Sequence, residues 1–114
     1  MIAVIFEVIP SEAAKSEYLE IAAELRSFLE NRDGFISIER FQSLTDEGKI
    51  LSLSFWRDES AVAKWRNVLE HRSAQKKGKE SLFRSYRIRV AEVIRDYTAT
   101  DRNEAPTDST EALA

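Results

Sequence analysis

Residues 50–56 read Ile50-Leu51-Ser52-Leu53-Ser54-Phe55-Trp56, and this heptapeptide decides the fold. Alternation with period two places Leu51, Leu53 and Phe55 on one face and Ile50, Ser52, Ser54 and Trp56 on the other. Both faces carry large apolar side chains, so the strand belongs to a sheet that needs cover on both sides. Just upstream, Asp46-Glu47-Gly48 is turn chemistry and residues 35–43 alternate as a second strand, which predicts a hairpin. Just downstream, Asp58 stands where a helix needs an N-cap, and Ala61, Trp65, Val68, Leu69 and Arg72 then share one helical face until Gly78 breaks or bends it.

Toward the N-terminus, residues 1–9 form a β-rich run closed by Pro10, which lacks the N–H that a ladder needs. Ser11 follows as an N-cap, with Glu12 near the positive end of the helix dipole. Ala14, Tyr18, Ile21, Ala22, Leu25, Phe28 and Leu29 recur at helical spacing and make one apolar face. The Asp33-Gly34 pair ends that helix, with Gly34 as the left-handed C′ residue. Toward the C-terminus, a connection containing Leu82 and Phe83 leads into a strand over 86–97, apolar at both parities: Ile88, Val90 and Ile94 against Ala91 and Val93.

The order βαββαβ defines an α+β, ferredoxin-like fold: a four-stranded antiparallel sheet with both helices on one face. One domain, residues 1–97, is expected, followed by a polar, disordered tail over 98–114. A two-sided sheet in a chain of 114 residues leaves an apolar face bare unless two copies pack face to face. A homodimer through the sheet faces is therefore expected.

Composition narrows the function. The chain is 43% hydrophobic and 32% charged, which suits a compact core. It has no cysteine and one histidine, so disulfides, thiolate nucleophiles and most His-based metal sites are not expected, and no metal ligand set is assigned. The longest apolar run, residues 1–6, is too short to span a membrane and has no basic segment before it. A cytoplasmic protein without a membrane partner is expected. The net charge of −3 belongs to residues 98–114, leaving 16 acids and 16 bases in the body, a balance that argues against nucleic acid as a partner. Within the body, seven bases stand against Glu80 between His71 and Arg89, either as a solvated helix end or as a rim attracting a small anion.

Gly34-Phe35-Ile36-Ser37, the run Leu51-Ser52-Leu53-Ser54-Phe55-Trp56-Arg57-Asp58, then Ala61, Trp65 and Glu70-His71-Arg72 together resemble the antibiotic biosynthesis monooxygenase (ABM) family of the dimeric α+β barrel superfamily. The resemblance spans about residues 1–97. It implies two kinds of chemistry. Some members are cofactor-independent monooxygenases, in which O₂ attacks an electron-rich phenol or anthrone held between helices and sheet. Others degrade haem, using an Asn on the first strand, a Trp on the second helix and a His ten positions beyond it. Here the Trp position is Trp65, but the other two fall on Glu7 and Gln75, with His71 one helical turn before the latter.

The resulting expectation is a monooxygenase that oxidises a small aromatic or quinol-type ligand without a cofactor. A non-catalytic small-molecule-binding dimer is the alternative, and haem degradation stands third. His71 and Glu7 are the catalytic candidates. His71 titrates near neutrality and suits proton removal from a phenol or anthrone; it also sits in a polar stretch where a surface histidine is ordinary. Glu7 lies in an apolar strand, where burial would raise its pKa; otherwise it is a carboxylate paired with Arg40, Arg87 or Arg89. Trp65 is either core or a cavity wall whose indole N–H meets a ligand oxygen, and Trp56 is core or interface. Asn67, Phe41, Tyr18, Phe83 and Tyr86 complete the substrate-binding candidates. Glu39 and Arg40 are expected to be cross-strand ion-pair partners.

Overall fold

A computed structural model describes residues 1–11, 15–75 and 83–113, except for the side chains of 70–75, 83, 84 and 113. Strand β1 (Ile2–Pro10) leads to helix α1 (Lys15–Leu29), the hairpin β2 (Phe35–Gln42) and β3 (Ile50–Trp56), helix α2 (Glu59–Gln75), strand β4 (Phe83–Glu92) and a short helix α3 (Thr107–Leu113). The sheet runs β2-β3-β1-β4, and all its pairings are antiparallel. The expected α+β, ferredoxin-like βαββαβ arrangement is the one observed.

Register assigns the faces. Ile2, Val4, Phe6 and Val8 of β1 stand opposite Trp56, Ser54, Ser52 and Ile50 of β3, and opposite Glu92, Val90, Ile88 and Tyr86 of β4. Paired residues share a face, and this one is covered by the helices. Leu29 of α1 and Ala61 and Val62 of α2 are buried with Trp56, with Ile2, Val4, Phe35, Ile38 and Trp65 packed against them. A second cluster joins Tyr18 of α1 to Val8 and Ile50, with Phe6 beside them. The opposite, open face carries Ala3, Ile5, Glu7 and Ile9 of β1 beside Leu51, Leu53 and Phe55 of β3.

The termini of the elements follow from local chemistry. Asp58 caps α2: its Oδ1 accepts from the Ala61 N–H at 2.9 Å. The Gln42 side-chain amide donates to the carbonyls of Glu47 (2.8 Å) and Lys49 (3.0 Å) and closes the β2–β3 turn. Three expectations are corrected. Gly34 is left-handed (φ 84°), but α1 already ends at Leu29, so Gly34 forms the turn into β2 instead of the helix C′. Phe28, expected on the apolar face, is 41% exposed. Strand β4 begins at Phe83 and ends at Glu92, short of Tyr97; among the described residues β1 is its one neighbour and has Ile2 opposite Glu92, so past Val93, whose N–H reaches the Met1 carbonyl, the ladder has no partner there.

Within residues 98–114, expected to lack structure, α3 forms behind Pro106, whose carbonyl accepts from the Thr110 N–H. Ahead of it, Glu104 Oε1 accepts from the Asp96 N–H (2.9 Å) and Thr98 Oγ1 from the Asp101 N–H (2.8 Å). Glu12, placed at the start of α1, and Gly78, placed as its breaker in α2, lie outside the described residues, as does Leu82. Among the described residues, no helix is long and apolar enough to cross a membrane.

Candidate functional site

The helix-covered face of the sheet holds an aromatic wall. Phe35 meets Trp56 edge-on at 5.3 Å between ring centroids, and Trp56 stacks on Trp65 at 6.4 Å with 28° between planes. Trp56 is the sealed member, 1% exposed, with its indole N–H donated to Ser54 Oγ at 2.9 Å. Trp65 is half-buried, and the Arg32 guanidinium lies 5.3 Å above its ring. Beside this wall the central strand β3 presents Ser52 and Ser54, both buried, where a solid core would carry Val or Leu. Arg40 of β2 stands opposite Ser52 on the same face. Its expected ion pair is absent: it has no carboxylate partner among the described residues, and Glu39 points to the open face opposite Leu53. Across the ladder Glu39 meets Leu53 and Arg40 meets Ser52, so neither has a charged cross-strand partner on β3.

The remaining candidates divide between places. Tyr18 is core, 6% exposed, against Val8 and Ile50. Tyr86 is on the helix side of the edge strand β4, 64% exposed, with its ring 6.0 Å from Phe6. Asn67 is exposed on α2, two positions and thus about 200° around the helix from Trp65, on a different face. Glu7 and Phe41 lie on the open face, so they do not share a pocket with Trp65. Glu7 pairs with Arg89 (3.3 Å) and Lys49 (3.9 Å), the first of these being one of the partners its sequence context names. Glu7, Phe41, Gln42, Ser43, Lys49 and Leu51 line a depression of about 200 Å³ there. His71 and Gln75 lie on α2 and Phe83 opens β4, but their side chains are outside the described residues.

A charged latch stands next to the aromatic wall. Arg57 donates to both oxygens of Asp33, at 2.9 and 3.1 Å, and to Asp58 at 3.1 Å, while its backbone N–H reaches the Gly34 carbonyl at 2.8 Å. The hydrogen bond from Arg57, reinforced by its charge, holds the Asp33 carboxyl below its ordinary value. Asp58 is lowered first by the Ala61 N–H and then by Arg57, and Arg57 is in turn raised by the same partners, Asp33 foremost. Arg32, next to Asp33 in the chain, was not singled out by the sequence. Its position after a helix reads as an ordinary solvated cation, and no periodicity shows that it folds back over Trp65.

A four-stranded antiparallel sheet of this order, with a Phe-Trp at the end of its central strand and a second tryptophan stacked upon it, defines a ferredoxin-like α+β domain. Residues 1–77 match the family model described as Antibiotic biosynthesis monooxygenase, and the chain belongs to that family. It is 47% identical over 93 residues to a Jasmonate monooxygenase ABM of Pyricularia oryzae, a match that covers 82% of this chain and 43% of that protein, so the chain spans less than half the length of that relative. A second relative, the uncharacterized protein YqjZ of Bacillus subtilis, is 33% identical over 82% of this chain and 79% of its own length. Among solved structures, the heme-degrader MhuD of Mycobacterium tuberculosis, with two hemes bound in its active site, superposes with a TM-score of 0.68 at 16% identity, over 86% of this chain and all of that one. At that identity the likeness concerns the fold.

Proposed function

We propose that the chain is a monooxygenase whose ligand lies on the helix side of the sheet against Trp65, and that its substrate is a small, largely apolar molecule of the jasmonate kind. The observation that carries this reading is the 47% identity to a jasmonate monooxygenase, in a segment that includes the aromatic wall and the serine floor. A quinol or anthrone is the second substrate class, favoured by the aromatic lining of Phe35, Trp56 and Trp65. For an anthrone-type methylene the reaction balances without a cofactor: the base removes a proton, the carbanion adds O₂, and loss of water from the hydroperoxide leaves a carbonyl. For an unactivated C–H, one oxygen atom enters the substrate and the other leaves as water, with two electrons taken from an added reductant. His71, the chain's single imidazole, is the group proposed to take the proton.

Haem degradation finds less support. The strand position that the family pattern gives to Asn is Glu7, which faces away from Trp65 and is engaged by Arg89 and Lys49. The described residues therefore bring no haem-ligand set together with Trp65.

The unit that performs the reaction is proposed to be a homodimer packed through the open face, where Ile5, Leu51, Leu53 and Phe55 lie half-buried around Ala3 and Phe41 is 42% exposed. The test is oxygen uptake by the purified chain with anthrone, a quinol or jasmonic acid, each with and without NADPH or ascorbate, followed by ¹⁸O₂ labelling of the product. One labelled oxygen in the product is expected, and His71→Ala should lower the rate on the anthrone by at least about 100-fold. No uptake with any of these substrates would leave the non-catalytic binding dimer as the reading.

A further inference from the structure

Among the described residues, Arg32 is a cation without a counter-charge. It is half-buried, its guanidinium lies 5.3 Å over the Trp65 ring, and its Nε is sealed from solvent without an acceptor. No carboxylate pairs with it among the described residues. The natural partner would be Asp33, its neighbour in the chain, but both Asp33 oxygens are held by Arg57, which also holds Asp58. The latch thus keeps the carboxylate next to Arg32 in the chain engaged elsewhere. Beside it, the Trp65 indole N–H has no acceptor among the described residues, although that of Trp56 is satisfied by Ser54. A guanidinium with its Nε sealed and an indole N–H, neither with a protein acceptor among the described residues and both on the same aromatic wall, match a ligand that brings its own oxygens.

We propose that Arg32 and Trp65 form an acid-recognising subsite. The ligand is a small organic carboxylate: its charge pairs with the Arg32 guanidinium and its apolar body lies along Trp65. The planar fork of arginine suits a carboxylate, and stacking on Trp65 orients it before the ligand arrives. This subsite rests on the proposed location of the ligand and narrows the substrate to acids over neutral analogues.

The test reads binding alone, so it is separable from turnover. Jasmonic acid and its methyl ester differ by the charge and are titrated against tryptophan fluorescence and by calorimetry. The wild-type chain is expected to bind the acid roughly tenfold or more tightly than the ester. Arg32→Gln should bring the two affinities together, Arg32→Lys should keep part of the difference, and Arg26→Gln, at an exposed position of α1 paired with Glu30, should keep all of it. Equal affinities in the wild type, binding of neither compound, or a preference that survives in Arg32→Gln would overturn the subsite. A preserved acid preference without oxygen uptake would instead remove the oxygenase reading and leave the subsite standing.

Discussion

Gly34 shows how a single residue constrains the site. Its φ of 84° is one that side chains rarely adopt, and a Cβ placed there would stand 2.5 Å from the Ala61 Cβ of α2. The turn after α1 therefore lies directly against the second helix, and the same turn carries Arg32 and Asp33. Gly34→Ala should destabilise the fold by about 1–3 kcal/mol from backbone strain, with the clash against Ala61 adding to it. Thermal unfolding of the variant checks this; an unchanged Tm would mean that the turn can relax without loss. Because α2 must move to make room, the Trp56–Trp65 stack should loosen as well, visible as a change in near-ultraviolet circular dichroism. At this scale the sequence was partly legible. Gly34 stood out as a left-handed residue, but the helix stops at Leu29, five residues earlier, so its purpose became clear only from Ala61. Arg32 was not legible, because its contact crosses from the α1–β2 turn to the middle of α2.

Between elements, the Arg57 latch ties the end of β3 to the turn before β2 and to the cap of α2. Both carboxylates are held below the ordinary aspartate value of 3.8. A carboxylate with a depressed folded value contributes stability that is fully present above the unfolded value and is lost as pH falls through the folded one. The Tm should therefore fall as the pH drops below about 4. Asp33→Asn should lower the Tm at neutral pH and flatten that acidic decline; since both groups are exposed, raising the salt concentration should shrink the difference. An identical acid limb in wild type and variant would show that Asp33 does not contribute to it. The strand β3 was read to the residue from its alternation, because period two survives any packing. The end of β4 was not, since a strand continues only while it has a neighbour, and β1 stops at Ile2.

The whole molecule presents a sheet covered on one side. The helices take the face of Ile50, Ser52, Ser54 and Trp56, leaving Leu51, Leu53 and Phe55 on the other. If copies pair through that open face, Leu53→Glu should place a carboxylate in its apolar centre and give a monomer by light scattering at micromolar concentration, with helical content unchanged. A wild-type chain that is already monomeric would remove the face-to-face dimer. A Leu53→Glu chain that stays dimeric would place the interface elsewhere.

The sequence by itself determined the βαββαβ order, the hairpin, the cap at Asp58 and the family, because these depend on periodicity, turn chemistry and short spacings that are local in the chain. Only the tertiary structure decided which face of β3 the helices cover. The two serines could have marked a wet face, and they became a buried floor because Trp56, of the same parity, packs with Leu29, Ala61 and Val62. That choice sends Glu7 and Phe41 to the far side of the sheet from Trp65 and brings Arg32 onto the aromatic wall. Such juxtapositions join residues tens of positions apart, and in them the energy of burial, not local preference, selects the partner.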